Sequence, residues 1–126
     1  MRADGDKSCQ VEIVNNSDAL SGALIIAWVF AALLLLLAVA ATLAGRGVIK
    51  RNPIIGIRIP SLFASDEAWA RGHAAAARPS WIGFVVALLS ALVGVFAPVV
   101  YWLTIAVFVV TTVWMFIAAS RAAKAS

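Results

Sequence analysis

Charge is scarce in this chain: of 126 residues only 13% are Asp, Glu, Lys or Arg, while 63% are hydrophobic. An ordinary soluble domain carries about 25% charged residues. A small soluble domain leaves much of its surface wet, and that surface must be largely polar; a soluble globular chain is therefore excluded and a membrane protein expected. The single cysteine, Cys9, excludes an internal disulfide framework and a cysteine-cluster metal site. The single histidine, His73, excludes a histidine-rich metal centre. Two long runs, 19–45 and 79–120, contain no charged residue at all. Ionisable groups inside a membrane mark ion pathways and proton relays, so their absence argues against a pump or a proton-coupled transporter. No motif calls for a cofactor.

The first uncharged run contains Leu24-Ile25-Ile26-Ala27-Trp28-Val29-Phe30 and then Leu33 to Leu37. About 20 apolar residues suffice to cross a bilayer, and residues 21–45 are expected to form a first, retained transmembrane helix behind a tail over 1–20. The second run is too long for one crossing, because a helix rises about 1.5 Å per residue and the hydrocarbon is about 30 Å thick. Pro98 lies near its middle, where a missing N–H ends or kinks a helix. A tight hairpin is expected, with spans over 81–97 and 99–119 and a tail over 120–126. The fold class is all-α, an integral membrane three-helix bundle. On the second span, Gly83, Ala87 and Ala91, with Ser90 and Gly94, put small residues four apart, which would let helix backbones approach closely.

Basic residues flank spans on the cytoplasmic side. Arg46, Lys50, Arg51, Arg58, Arg71 and Arg78 fall between the first two spans and Arg121 and Lys124 follow the third, leaving only Arg2 and Lys7 before the first. A multi-pass plasma-membrane protein is expected, with its N-terminus and Cys9 outside and its C-terminus and the 46–80 loop in the cytoplasm. Topology thus accounts for the net charge of +4 without nucleic acid as a partner.

The loop is longer than a simple connection needs. Around Asn52-Pro53-Ile54-Ile55-Gly56-Ile57-Arg58-Ile59-Pro60 the prolines forbid a continuous helix, and an extended strip is expected with Ile57 and Ile59 on one side and Arg58 on the other. Ser65 then reads as an N-cap, with Asp66 and Glu67 at the positive end of the helix dipole. A short amphipathic helix is expected over 65–78, ended by Pro79. Trp69 and His73 share one face; Glu67 and Arg71 form an i,i+4 pair. This helix reads either as an interfacial element, with its Trp at headgroup level and its basic residues on anionic lipid, or as part of a recognition surface.

The pattern Asn52, Gly56-Ile57-Arg58, Pro60, Ser65, Glu67, Trp69 and His73, followed by two closely spaced spans, resembles the SdpI family of bacterial membrane proteins over about 44–119. Many members carry Thr where this chain has Ile59. The founding member also has additional spans before this module, so the chain looks like the module alone. The resemblance implies immunity to a membrane-active toxin peptide and membrane docking of a transcriptional regulator rather than catalysis.

The expected function is therefore a small non-enzymatic membrane protein of SdpI type, in contact with the lipid bilayer and with a protein partner: a membrane complex, a regulator or a toxin peptide. The alternative is an accessory subunit of a larger respiratory or envelope assembly. An enzyme would have to draw on Arg58, Ser61, Glu67 and His73 alone, all on one loop.

Overall fold

The computed structural model describes residues 2–125. Three helices make the fold: α1 (Arg2–Gly45), α2 (Asp66–Gly94) and α3 (Tyr101–Lys124), with short 3-10 turns at Pro60–Leu62 and Pro98–Val100. All three helices are long and apolar enough to cross a membrane, and no strand occurs among the described residues. The all-helical membrane bundle expected from the charge gaps is what the chain forms.

The bundle is packed through its smallest side chains. On α1 the buried positions are Ala23, Ala27, Ala31, Leu34, Ala38, Ala41 and Ala44, while Ile25 and Leu36 stay exposed. Water-driven burial would select the opposite arrangement. Lipid is as apolar as leucine, so association relies on close backbone approach and dispersion, and small residues collect at the seam. Gly83, Ala87, Ser90, Ala91 and Gly94 of α2 are buried in the same way. A Cβ on Gly83 would overlap the Thr111 side chain, and one on Gly94 would stand 2.5 Å from the Tyr101 ring.

Helix α2 packs extensively against both neighbours, whereas α1 and α3 touch less. Phe30 and Phe108 stack across that lesser contact at 4.4 Å. The Trp81 indole N–H donates to Thr42 Oγ1 at 2.9 Å, and the Thr42 hydroxyl donates back to the Ala38 carbonyl at 2.7 Å. Ser90 and Thr112 likewise satisfy their hydroxyls on the preceding turn.

The structure corrects the expected break at Pro79. The short helix over 65–78 and the span over 81–97 are a single helix, Asp66–Gly94, with Pro79 inside it. Proline removes one N–H and crowds the carbonyl four residues back. Here Ala76, Pro79 and Ser80 are all buried, Ala76 in one cluster with Ala41 and Ala44 of α1 and Met115 and Ala119 of α3, and Ser80 Oγ donates to the Ala76 carbonyl at 2.6 Å. Tertiary packing around this buried turn carries the helix through the proline, as neighbouring helices do for prolines within membrane helices. The hairpin boundaries also shift: α2 ends at Gly94 rather than 97, and α3 runs to Lys124 rather than 119.

The described part of the tail over 1–20 is helical and continues α1 outward, exposed wherever its side chains are described. Extending an existing helix costs far less than nucleating one, and the apolar span supplies the nucleus. At 29 residues, α2 is about 43 Å long at 1.5 Å per residue, more than the hydrocarbon needs. Its charged residues Asp66, Glu67, Arg71 and Arg78 assign the excess to its first turns, which project beyond the membrane at the basic end of the bundle.

Candidate functional site

That projecting part of α2 holds the loop. Ser65 caps the helix in extended conformation, its Oγ accepting from the Ala68 N–H at 3.0 Å. One turn on, Trp69 is 2% exposed. Its indole N–H donates to the Ile49 carbonyl at 3.0 Å, and its ring meets Phe63 edge-on at 5.4 Å. His73 lies on the next turn, fully buried, with its ring 4.2 Å from that of Trp69.

The two ring nitrogens of His73 have different duties. Nε2 accepts from the Ile57 backbone N–H at 3.0 Å, so Nε2 must be unprotonated. Nδ1 lies 2.8 Å from the Trp69 carbonyl, and a carbonyl only accepts, so Nδ1 carries the proton. The surroundings therefore specify the neutral Nδ1–H tautomer. His73 stands ahead of Arg78, outside the membrane-spanning stretch. Burial pushes its pKa below the ordinary value of 6.5, with the bond to the Trp69 carbonyl acting the other way.

Opposite these two rings the backbone turns at Gly56, whose φ of +111° is a region that side chains rarely adopt. A Cβ there would lie 2.7 Å from His73 Nε2 and 2.9 Å from Trp69 Cη2. Glycine is thus required twice, by conformation and by contact. Asn52 builds the preceding turn: its Oδ1 accepts from the N–H groups of Ile54 and Ile55 at 3.0 and 2.7 Å, and its Nδ2 donates to the Lys50 carbonyl at 2.7 Å. Arg58 closes the turn from the other side, Nη2 donating to the Ile54 carbonyl at 2.9 Å. Beyond it Ile57 is buried, Arg58 exposed and Ile59 half-buried, the alternation expected of the strip. Pro60 starts the 3-10 turn that drives Leu62 into the core.

The structure thus brings Asn52, Gly56, Arg58, Trp69 and His73 into one clamp, with Ser65 and Pro60 shaping the elements on either side. Glu67 stands apart. It is exposed, and its contact with Arg71 is long at 3.8 Å, a surface pair of small energetic value. Among the described residues no three of His, Cys, Asp and Glu gather as a metal site.

Three contributors escaped the sequence reading. Arg51, counted only as a topological charge, donates from Nη1 to the Phe63 carbonyl at 2.7 Å and pairs through Nε with Asp66 at 3.3 Å. Phe63 covers the edge of Trp69. Gly72 admits Leu62, whose Cγ would lie 2.8 Å from a Cβ at that position. A glycine inside a helix costs up to about 1 kcal/mol relative to alanine, and that anomaly was the available signal for a close approach at Gly72.

The clamp lies wholly within the stretch matched by a protein-family model described as the SdpI/YfhL protein family, which covers residues 48–119. No curated protein and no solved structure matches the chain. The match spans more than half of the chain and includes the clamp and the helical hairpin behind it: this protein belongs to the SdpI/YfhL family.

Proposed function

We propose that the chain is a non-enzymatic membrane module whose clamped loop is a preformed docking surface for a protein partner, and that its activity is protection against a membrane-active peptide. The carrying observation is the division of labour in the loop. Asn52, Gly56, Arg58, Trp69 and His73 hold backbone groups in place, while Ile54 and Ile55 on the same turn are left 76% and 49% exposed. A rigid turn that displays two large apolar side chains lowers the ordering cost of binding. The concentration of Lys and Arg in the loop and after α3 supports a cytoplasmic loop and C-terminus with the N-terminus outside.

The test is survival. Cells lacking the protein, cells carrying it, and cells carrying Gly56→Ala are challenged with a panel of membrane-active peptides. Protection by the wild-type protein against at least one peptide, lost in the variant, is expected; equal sensitivity of all three strains across the panel contradicts the immunity reading. An accessory-subunit role is the second reading, favoured by the projecting part of α1, where Val11, Ile13 and Val14 are exposed. Co-purification of a stoichiometric membrane complex through that segment supports it.

A further inference from the structure

Beside the clamp, the segment that follows α1 and the start of α2 line a cavity of about 430 Å³. Ile49, Trp69 and Ala70 form apolar lining, and Lys50, Arg51 and Asp66 supply its charged groups. Its depth follows from the packing. Gly45 fits against the backbone of Ala74 and Trp81 bonds Thr42, so the cavity lies where the uncharged run of α1 gives way to Arg46, Lys50 and Arg51. That is the level of lipid headgroups.

We infer that this cavity seats the phosphate headgroup of an anionic phospholipid from the adjoining leaflet, with Lys50 as the counter-charge. Arg51 is already engaged, through Nε with Asp66 and through Nη1 with the Phe63 carbonyl, and so cancels the one carboxylate at the site. The Lys50 ammonium has no carboxylate partner among the described residues, which leaves the site net positive. Trp69, fixed by its bond to the Ile49 carbonyl, gives the cavity a rigid apolar side suited to the glycerol and first methylenes of a lipid. Basic pockets between helix ends at a membrane surface hold anionic headgroups through this combination of charge and apolar wall.

The experiment is native mass spectrometry of the full chain in a non-ionic detergent, titrated with phosphatidylglycerol, phosphatidylcholine or glycerol phosphate. Wild-type protein should retain phosphatidylglycerol in several-fold preference to phosphatidylcholine. Lys50→Gln should cut that retention about fivefold, the effect of one basic residue near an anionic surface. Ala70→Phe, which fills the cavity with every charge in place, should cut it as well, whereas Lys124→Gln should leave it unchanged. Equal retention of the two lipids by wild-type protein overturns the inference, as does a loss in Lys124→Gln matching that in Lys50→Gln. Displacement of the lipid by equimolar glycerol phosphate would make this a site for soluble phosphate and overturn it too.

Discussion

Replacing Gly56 by alanine tests the clamp at its tightest point. Two separate penalties apply. The residue has φ of +111°, and a non-glycine residue held in a sparsely populated backbone region costs about 1–3 kcal/mol. The new methyl would also sit 2.7 Å from His73 Nε2 and 2.9 Å from Trp69 Cη2; both rings are buried, and overpacking a filled site costs about 1–3 kcal/mol. Gly47→Ala provides the control, because Gly47 also has positive φ, at +79°, but nothing lies within 4 Å of its added Cβ. Gly47→Ala should pay strain alone, and Gly56→Ala strain plus the clash. The assay is tryptic cleavage after Arg51 and Arg58 in detergent, with circular dichroism to confirm intact helices. When opening is fast relative to cutting, the cleavage rate follows the population of the open loop. Gly56→Ala should therefore be cut about ten- to a hundredfold faster than Gly47→Ala. Equal rates would refute the claim that the loop is seated on Trp69 and His73.

His73 makes the clamp sensitive to acid. Because its folded pKa lies below 6.5, the unfolded loop binds the proton first, so stability is full above pH 6.5 and falls as the pH drops from there towards the folded pKa. Protonation at Nε2 also removes the acceptor of the Ile57 N–H. Thermal unfolding monitored at pH 8 and pH 5.5 should show a lower midpoint at the acid value for wild-type protein and a smaller difference for His73→Gln. In the spans, Gly83→Ala should destabilise the α2–α3 contact by about 1–3 kcal/mol through overpacking, and Thr111→Ala in the same chain should recover part of the loss, since the two positions touch; strictly additive losses in unfolding midpoint would contradict the contact. Cys9 is the only cysteine and is exposed, so a membrane-impermeant maleimide should label it in intact cells. Labelling only after lysis would reverse the proposed orientation.

The existence of the spans was legible because the charge gaps and Pro98 mark them out, and both are local properties of the sequence, although the hairpin boundaries shifted by a few residues. The Ser65 cap and the alternation of Ile57, Arg58 and Ile59 were legible for the same reason, each needing only a few neighbouring residues. Continuity through Pro79 was not, since the local rule for proline predicts a break and the compensation comes from buried contacts of Ala76 and Ser80. Nor was the clamp itself: the Ile57–His73 and Ile49–Trp69 bonds join residues 16 and 20 positions apart, across a loop whose path no periodicity reveals. The resemblance singled out the clamp positions without saying what they do. Their backbone hydrogen bonds hold the turn in place, so the structural signature would support the recognition surface proposed for the same loop.

The central claim is that the clamped turn exists to present Ile54 and Ile55 to a protein. Neither side chain takes part in the clamp's hydrogen bonds, which reach these residues only through backbone groups, so Ile54→Ser with Ile55→Ser removes the displayed surface and spares its support. The direct measurement is quantitative mass spectrometry of proteins co-purified in mild detergent with tagged wild-type chain and with the double variant, alongside the tryptic assay of the loop. The account predicts a stoichiometric partner that is lost in the variant while the loop keeps its resistance to trypsin. A partner retained undiminished by the variant, or none recovered with the wild-type chain, would contradict it.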